Sequence, residues 1–398
     1  VELRRVGAGF ELVRNGQPFF VRGVGGTASM EKLVEFGGNA VRTWDAEGIG
    51  PMLDEAHRLG VAVQAGIWLE HERHGHDYDD AKFRRAQLDK VRRLVLEHRD
   101  HPALLTWGVG NEVELGGDLG KALRAIEDAA AIIKELDPYH PTVAVIAEIG
   151  EDKAARIRRE CPSIDLIGVN SYGGISSVGQ RLLEQGYDGA YLITEFGTLG
   201  HWEVGATAWG APIEQTSGEK ADFLRAGYAA AVAGQHPGRC VGSFAFLWGN
   251  KQETTATWFG LVLETGETTE SADVLSEFWT GRVPERRAPR VTAIRAAEGV
   301  DVGAVRAGGT FGVRVDASDL DGDGLTFEWH VVEESRDRRS GGDAEAVPDA
   351  ADSHVDGAED GSGVVHAPKK PGAYRVFVTV RDGTGRAGTA NLPIRVVE

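Results

Sequence analysis

The chain gathers its apolar residues into short continuous blocks separated by longer stretches of mixed polarity. Eight blocks stand out: "FFVRGVG" (19–25), "NAVRTW" (39–44), "AVQAGIWL" (62–69), "ALLTWGVG" (103–110), "TVAVIAEI" (142–149), "DLIGVNSY" (165–172), "AYLITEFG" (190–197) and "VGSFAFLWG" (241–249). Blocks without polar alternation are what strands buried on both faces require, as in a parallel sheet. Between most of them lie amphipathic segments, over 29–36, 50–59, 80–97, 119–136 and 218–233, with shorter ones after 150 and 175. In the 218–233 segment Phe223, Leu224 and Tyr228 recur at near-helical spacing. Eight strand–helix units in about 280 residues predict an α/β fold, a closed (β/α)8 TIM barrel. An open doubly wound sheet competes with this, but it normally uses fewer strands and sets a Gly-rich fingerprint after the first, which "RGVGGTAS" does not match.

The pattern changes after the charged connector "PERRAPR". The stretches "TFGVRVDASDLDGDGLTFEWHVV" and "GVVHAPKKPGAYRVFVTVRDGTGRAGTANLPIRVV" show short alternating strands with Gly and Asp turns and no helical period, which predicts a β-sandwich. The expected division is a catalytic barrel over 1–283, a linker over 284–290 and a small all-β, immunoglobulin-like accessory domain over 291–398. That tail resembles polycystic-kidney-disease-like or cadherin-like modules, a resemblance that places Trp329 of "DLDGDGLTFEW" in the core. Asp319, Asp321 and Asp323 offer hard oxygen ligands to calcium, but the loop lacks a terminal Glu at the required spacing, which favours a plain Asp-Gly turn. The insert "GGDAEAVPDAADSHVDGAEDG" is acidic and expected to be mobile. Support or spacing is the expected role of this module, ahead of carbohydrate binding, because its only Trp is expected to be buried.

Composition narrows the partners. Lys and Arg number 43 against 61 Asp and Glu, for a formal charge of -18, which argues against a nucleic-acid groove or an anionic membrane surface and for a neutral or cationic partner. No uninterrupted apolar stretch reaches about 18 residues, so no membrane span is expected. The start "VELRRVGAGF" lacks the form of a signal peptide, but mature chains lose such segments, and a secreted, periplasmic or cell-surface location is the expectation. Cys161 and Cys240 form no disulfide scaffold and no structural zinc spacing; two buried thiols are expected.

Chemistry enters where charge interrupts the apolar blocks. "LLTWGVGNE" ends at Glu112 and "YLITEFG" contains Glu195, each at the polar end of a buried run, where a carboxylate is costly and Val, Ile or Leu is usual. In a barrel, catalytic groups sit at the carboxyl ends of the strands, and Arg42, Trp44, Asn111, Tyr172 and Trp248 fall at equivalent ends. Two carboxyl groups facing one site are what cleavage of a glycosidic bond needs. One is protonated to help the leaving oxygen depart, and the other attacks or activates water. Arg42 would favour the ionised form of one of them. Tyr172 would donate to the same carboxylate, and Asn111 suits a sugar hydroxyl.

The set "NAVRTW", "WGVGNE", "GVNSYGG", "ITEFG" and "FAFLWG" resembles the large clan of retaining (β/α)8 glycoside hydrolases, which includes β-glucosidase-like, β-glucuronidase-like, cellulase-like and β-1,3-glucanosyltransferase-like families. The resemblance covers about residues 10 to 280. It implies that Glu112, preceded by Asn111, is the acid/base on strand four and Glu195 the nucleophile on strand seven. It further implies that Arg42 and Tyr172 match the clan's Arg on strand two and Tyr on strand six, and Trp248 its sugar-platform Trp on strand eight. The clan's polar residue after strand three or six is matched only loosely, by His71 or Ser171. Unlike in the glucuronidase-like members, no β-sandwich is expected ahead of the barrel.

His201, Trp202 and Trp209 follow strand seven, and Lys251, Gln252, Glu253 and Trp258 follow strand eight. Aromatic planes beside polar groups suit a pyranose, so His201, Trp202 and Trp248 join Arg42, Trp44, Asn111 and Tyr172 as candidate substrate-binding residues. Trp68 and Trp107 face either the core or the mouth, while Trp258 and Trp279 are candidates to seal the last helix. "HERHGHDYDD" holds His71, His74 and His76 near Asp77 and Asp79, but no tetrahedral set completes a zinc site, and a solvated loop is expected. No metal and no cofactor is therefore expected. The leading reading is a retaining glycosidase acting on β-linked glucose-type oligo- or polysaccharide. A β-glucan transglycosylase using the same two Glu residues, a non-catalytic carbohydrate-binding or scaffold protein, and a metal-dependent barrel hydrolase stand behind it.

Overall fold

The computed structural model describes residues 1–150 and 152–398. Strands β1 (Glu2–Val6), β2 (Gly9–Arg14) and β3 (Gln17–Phe19) open the chain. Then come β4 (Val21–Gly25), α1 (Met30–Glu35), β5 (Ala40–Arg42), α2 (Gly50–Leu59), β6 (Ala62–Ile67), α3 (Ala81–His98), β7 (Leu104–Val109) and α4 (Leu119–Leu136). After them follow β8 (Thr142–Ala147), α5 (Lys153–Glu160), β9 (Leu166–Asn170), α6 (Val178–Glu184), β10 (Tyr191–Glu195), α7 (Ser217–Ala231), β11 (Cys240–Ala245) and α8 (Glu270–Thr280). The remainder is all strand: β12 (Arg290–Ala296), β13 (Val305–Arg306), β14 (Thr310–Ser318), β15 (Thr326–Glu333), β16 (His354–Gly357), β17 (Ser362–His366), β18 (Gly372–Arg381) and β19 (Ala387–Val397). Two compact units result: Val1–Phe196 with Ala226–Phe246, and Gly197–Arg225 with Leu247–Glu398.

In the first unit β4 to β11 close into a parallel barrel in the order β10-β11-β4-β5-β6-β7-β8-β9, the architecture the eight apolar blocks predict. The helices form where the amphipathic segments place them, because local caps satisfy their free amides. Ser29, Asp80 and Asp118 accept from backbone N–H groups of α1, α3 and α4 respectively. Helix α2 stops at Gly60, whose φ of 73° suits a residue without Cβ. Along α4, Leu123, Ile126, Ala130 and Ile133 recur every three or four residues on the buried face.

Strands β1 to β3 form an antiparallel sheet that the block pattern passes over. Its signal was the Asn15-Gly16 pair in "VRNGQP": both residues have positive φ, 52° and 77°, as a two-residue hairpin turn demands. Leu12 of this sheet shares a core with Val21, Ala40, Ala62 and Leu166, each the first residue of its barrel strand, and Leu3, Phe10 and Phe19 pack against them. The sheet therefore plugs the amino-terminal end of the barrel and leaves the carboxyl ends of the strands for chemistry. Cys161 and Cys240 are buried free thiols, and burial pushes both up to about 12. No helix among the described residues is long and apolar enough to cross a membrane.

In the second unit, two four-stranded sheets, β12-β14-β17-β16 and β13-β19-β18-β15, make the β-sandwich. Trp329 is only half buried and packs against two separate core clusters rather than at the centre of one. A Cβ on Gly357 would come within 2.8 Å of its ring, so β16 lies directly on the indole. The acidic insert expected to be mobile is in part ordered: it contains β16, paired antiparallel with β17, and Ala350 bridges to Val332. The Asp-rich turn is held by its own backbone. Asp319 Oδ1 accepts from the amides of Asp321 and Asp323, and Asp321 takes the Arg287 guanidinium at 2.6 Å.

A buried ionic chain crosses this unit. Glu214 accepts from Lys220 Nζ at 2.5 Å, from Thr255 at 2.6 Å and from Asn391 at 2.6 Å, and Asn391 in turn accepts from Arg375 at 2.6 Å. Arg375 also pairs with Glu334 at 2.7 Å. Burial opposes ionisation of Glu214, but Lys220 and the hydroxyl donors outweigh it and hold the carboxyl below its usual range.

Candidate active site

Four strands deliver the site. Arg42 and Glu195 are the last residues of β5 and β10, and Asn170 is the last of β9. Asn111 and Glu112 lie just past β7, and Trp44 and Tyr172 two residues past β5 and β9. The turn after β7 is tight: Gly110 has a φ of 69° and Glu112 a φ of 54°, a left-handed conformation that a side chain with a Cβ adopts only under compulsion. The Glu112 amide donates to Val145 O at 2.9 Å, and Glu114 Oε1 accepts from Ala147 N at 2.9 Å and from Lys153 Nζ at 2.8 Å. These bonds to β8 and to the start of α5 over-determine the turn, and local strain held in this way clusters at functional sites.

Glu195 is gripped by three donors. Its Oε1 accepts from Arg42 Nη1 at 2.8 Å and from Trp44 Nε1 at 2.9 Å, and its Oε2 accepts from the Tyr172 hydroxyl at 3.0 Å. Arg42, at 1% exposure, is itself fixed by bonds to Thr194 O and to Asn111 Oδ1 at 2.6 Å, and it sits 5.3 Å from the Trp44 ring centre. Phe246 meets Trp44 and Tyr172 edge-on at 5.8 and 6.3 Å and braces both donors.

Glu112 has the opposite surroundings. It is buried, and Asn170 Nδ2 is its side-chain donor, at 2.8 Å to Oε1. Burial, and after it the charge of Glu195, push the Glu112 carboxyl up to about 7; the Asn170 bond works the other way. The two carboxyl groups are thus unlike: three donors converge on Glu195, while Glu112 is raised toward carrying a proton, and such asymmetry is what acid-assisted displacement needs.

The first unit brings together Arg42, Trp44, Asn111, Glu112, Tyr172 and Glu195 of the residues singled out in the sequence. His201, Trp202 and Trp248 belong to the second unit. There His201 meets Trp202 and Trp258 edge-on, at 4.9 and 5.9 Å, and burial lowers its pKa. Trp202 is 57% exposed, whereas Trp248 is 1% exposed, so of these two rings it is Trp202 that offers an open face. Trp107 resolves to the core, donating to Asp137 at 2.8 Å. Asn170, Glu114 and Phe246 are the residues that the sequence reading passed over.

The fold and this site define a (β/α)8 barrel with two unlike carboxyl groups at the carboxyl ends of its strands. Residues 39–182 match the family model described as Glycosyl hydrolases family 2, TIM barrel domain. That stretch contains Arg42, Trp44, Asn111, Glu112, Asn170 and Tyr172 and stops short of Glu195. No curated protein matches the chain in sequence. Among solved structures, a calcium-binding mutant of Bacteroides uniformis beta-glucuronidase 2 is similar over 98% of this chain and 47% of its own, with 14% identity and a TM-score of 0.52. An FMN-binding beta-glucuronidase from Faecalibacterium prausnitzii is similar over 98% and 58%, with 17% identity and a TM-score of 0.53. A Bifidobacterium dentium beta-glucuronidase complexed with coumarin-3-O-glucuronide is similar over 70% and 49%, with 18% identity and a TM-score of 0.52. The chain spans about half the length of these solved chains, and likeness at such identity concerns the fold.

Proposed function

We propose that the protein is a retaining glycosidase for β-linked glucose-type sugars, with Glu195 as nucleophile and Glu112 as acid/base. The observation that carries this reading is the asymmetry of the two carboxyl groups: Glu195 has a guanidinium, an indole N–H and a phenol aimed at it, while burial and the charge of Glu195 raise the pKa of Glu112. In the first step a Glu195 oxygen attacks the anomeric carbon as the bond to the leaving oxygen breaks and Glu112 hands that oxygen its proton. A covalent glycosyl-enzyme results, and Glu112 is now a base. In the second step Glu112 takes a proton from water, the water oxygen attacks the same carbon, and Glu195 leaves as a carboxylate. Two inversions restore the starting configuration. A sugar hydroxyl in place of water would make the same residues a transglycosylase.

A second reading is favoured by the printed names of the similar structures, which are β-glucuronidases. Against it, the cation that touches Glu195 is engaged: Arg42 is bonded to Glu195, Thr194 O and Asn111 and is not free to receive a uronate. The test is a matched pair of aryl β-glucoside and aryl β-glucuronide, followed by glucans of different linkage, with the anomeric configuration of the first product read by NMR. Turnover of the glucoside with a β product is the expected result. Preference for the glucuronide would move the substrate class, an α product would remove the double displacement, and binding without turnover of any sugar would favour a scaffold.

A further inference from the structure

We propose that His354, Asp356 and His366 form a binding site for a transition-metal ion such as Zn2+ on the outer face of the sandwich edge. The register creates the cluster. His354 of β16 pairs directly with His366 of β17, and Asp356 lies two residues along β16 on the same face. The alternate positions point inward: Val365 is fully buried and Val355 packs against the core, so the other set projects to solvent. One ligand atom from each of the three residues lies within 4.8 Å of the others. His366 Nε2 is 2.8 Å from Asp356 Oδ2, His354 Nε2 is 3.9 Å from Oδ1, and the two imidazole rings stack with centres 4.0 Å apart.

Two imidazoles and a carboxylate are donors for zinc and its neighbours, not for calcium or magnesium, which take oxygen ligands. Three protein ligands also leave a coordination position for water. The contrast with the Asp319, Asp321 and Asp323 turn is instructive: there Arg287 and backbone amides already occupy the carboxylates, whereas here His354 and Asp356 are exposed and the bond that His366 makes is to Asp356, a member of the cluster itself. Strand β16 is the outermost strand of its sheet, bonded to β17 alone. A metal shared between the two strands would clamp this edge in place over Trp329.

The probe is Zn2+ itself, titrated calorimetrically into the full chain in a buffer that does not chelate. The wild type should take up one equivalent that the H354A/D356A/H366A variant lacks, and H354A or H366A alone should weaken it at least about tenfold. Hydrogen exchange at the amides of residues 354–357 should slow on adding Zn2+ in the wild type and not in the triple variant. None of the three side chains belongs to the buried core, and circular dichroism checks that each variant is folded. Equal uptake by wild type and triple variant, or unchanged exchange across residues 354–357 in zinc-loaded wild type, overturns the proposal.

Discussion

Arg42 Nη1 lies 2.8 Å from Glu195 Oε1 while its Nη2 lies 2.6 Å from Asn111 Oδ1, so one buried guanidinium sets both Glu195, the proposed nucleophile, and the residue preceding Glu112, the proposed acid/base. Lysine offers a point charge and cannot span both partners in this geometry. Arg42→Lys is therefore expected to lower kcat by about 100-fold or more, within the range seen when one preorganised donor is lost. Arg42→Ala should also destabilise the protein by about 3–5 kcal/mol, because it strands a buried carboxylate. Urea unfolding and steady-state kinetics on the two variants separate these effects. An Arg42→Lys enzyme with wild-type kcat would deny the positioning role.

With Glu112 as the proposed acid, its proton should set the alkaline limb of activity. Its carboxyl is raised to about 7 by burial and by Glu195, so kcat/KM should fall as pH climbs through that region, since the acid is then lost. Asn170 donates to Glu112 Oε1 and so favours the ionised form. Asn170→Ala should thus move the limb to higher pH. The profile is best taken with an alkyl glycoside, whose poor leaving group needs the proton. A limb that moves down, or stays put, contradicts this account of Asn170.

The same shift has a consequence for folding. A Glu with an unfolded pKa of about 4.3 and a raised folded pKa contributes its stability below the lower value and loses it as pH rises through the higher. Burying the Glu112 charge then works against the folded state at alkaline pH. Glu112→Gln, which keeps the shape and has no charge to bury, should raise Tm at pH 8 by an amount on the order of a few degrees and leave it nearly unchanged at pH 4. Thermal melts at the two pH values decide it; a gain of equal size at both would mean that ionisation is not the cause.

In the second unit, Lys220 of α7 neutralises Glu214, which is buried in the loop that follows β10. Lys220→Met leaves that carboxylate buried with hydroxyl and amide donors only, a change expected to cost about 3–5 kcal/mol. Adding Glu214→Gln removes the charge but keeps an acceptor for Thr255, so the double variant should recover much of the loss. Denaturant unfolding of the single and double variants measures the coupling, and simple additivity of the two losses would rule out a charge effect.

How far the sequence went depended on whether a residue broke a pattern. Parallel strands buried on both faces show as unbroken apolar blocks, so the barrel was legible. Glu112, Glu195 and Arg42 were legible because a charge at the end of such a block is an anomaly. Asn170 ends a block too, in "GVNSY", but an uncharged amide raises no question until its Nδ2 is seen 2.8 Å from Glu112. Phe246 looks like any core aromatic, and its bracing of Trp44 and Tyr172 exists only in three dimensions. The same limit applies to Trp248 and Trp202, since nothing local tells a buried indole from an exposed one. Strand β16 was lost because the acidic composition around "HVDG" outweighed a two-residue alternation too short to register.

The final prediction separates the two Glu roles, which position in the barrel leaves symmetric. In Glu195→Ala no glycosyl-enzyme can form, so turnover should collapse with every leaving group. Glu112→Ala removes proton donation and, later, activation of the acceptor. With an activated aryl glycoside that needs little protonation, its first step should stay comparatively fast and the glycosyl-enzyme should accumulate as a burst. Azide can then enter the vacated space and accept the sugar, giving a glycosyl azide of retained configuration. In Glu195→Ala azide replaces the nucleophile itself and gives the inverted product. Burst kinetics and NMR of the azide adducts, with circular dichroism to show that both variants are folded, make the comparison. An inverted adduct from Glu112→Ala together with a retained one from Glu195→Ala would exchange the roles assigned to Glu112 and Glu195.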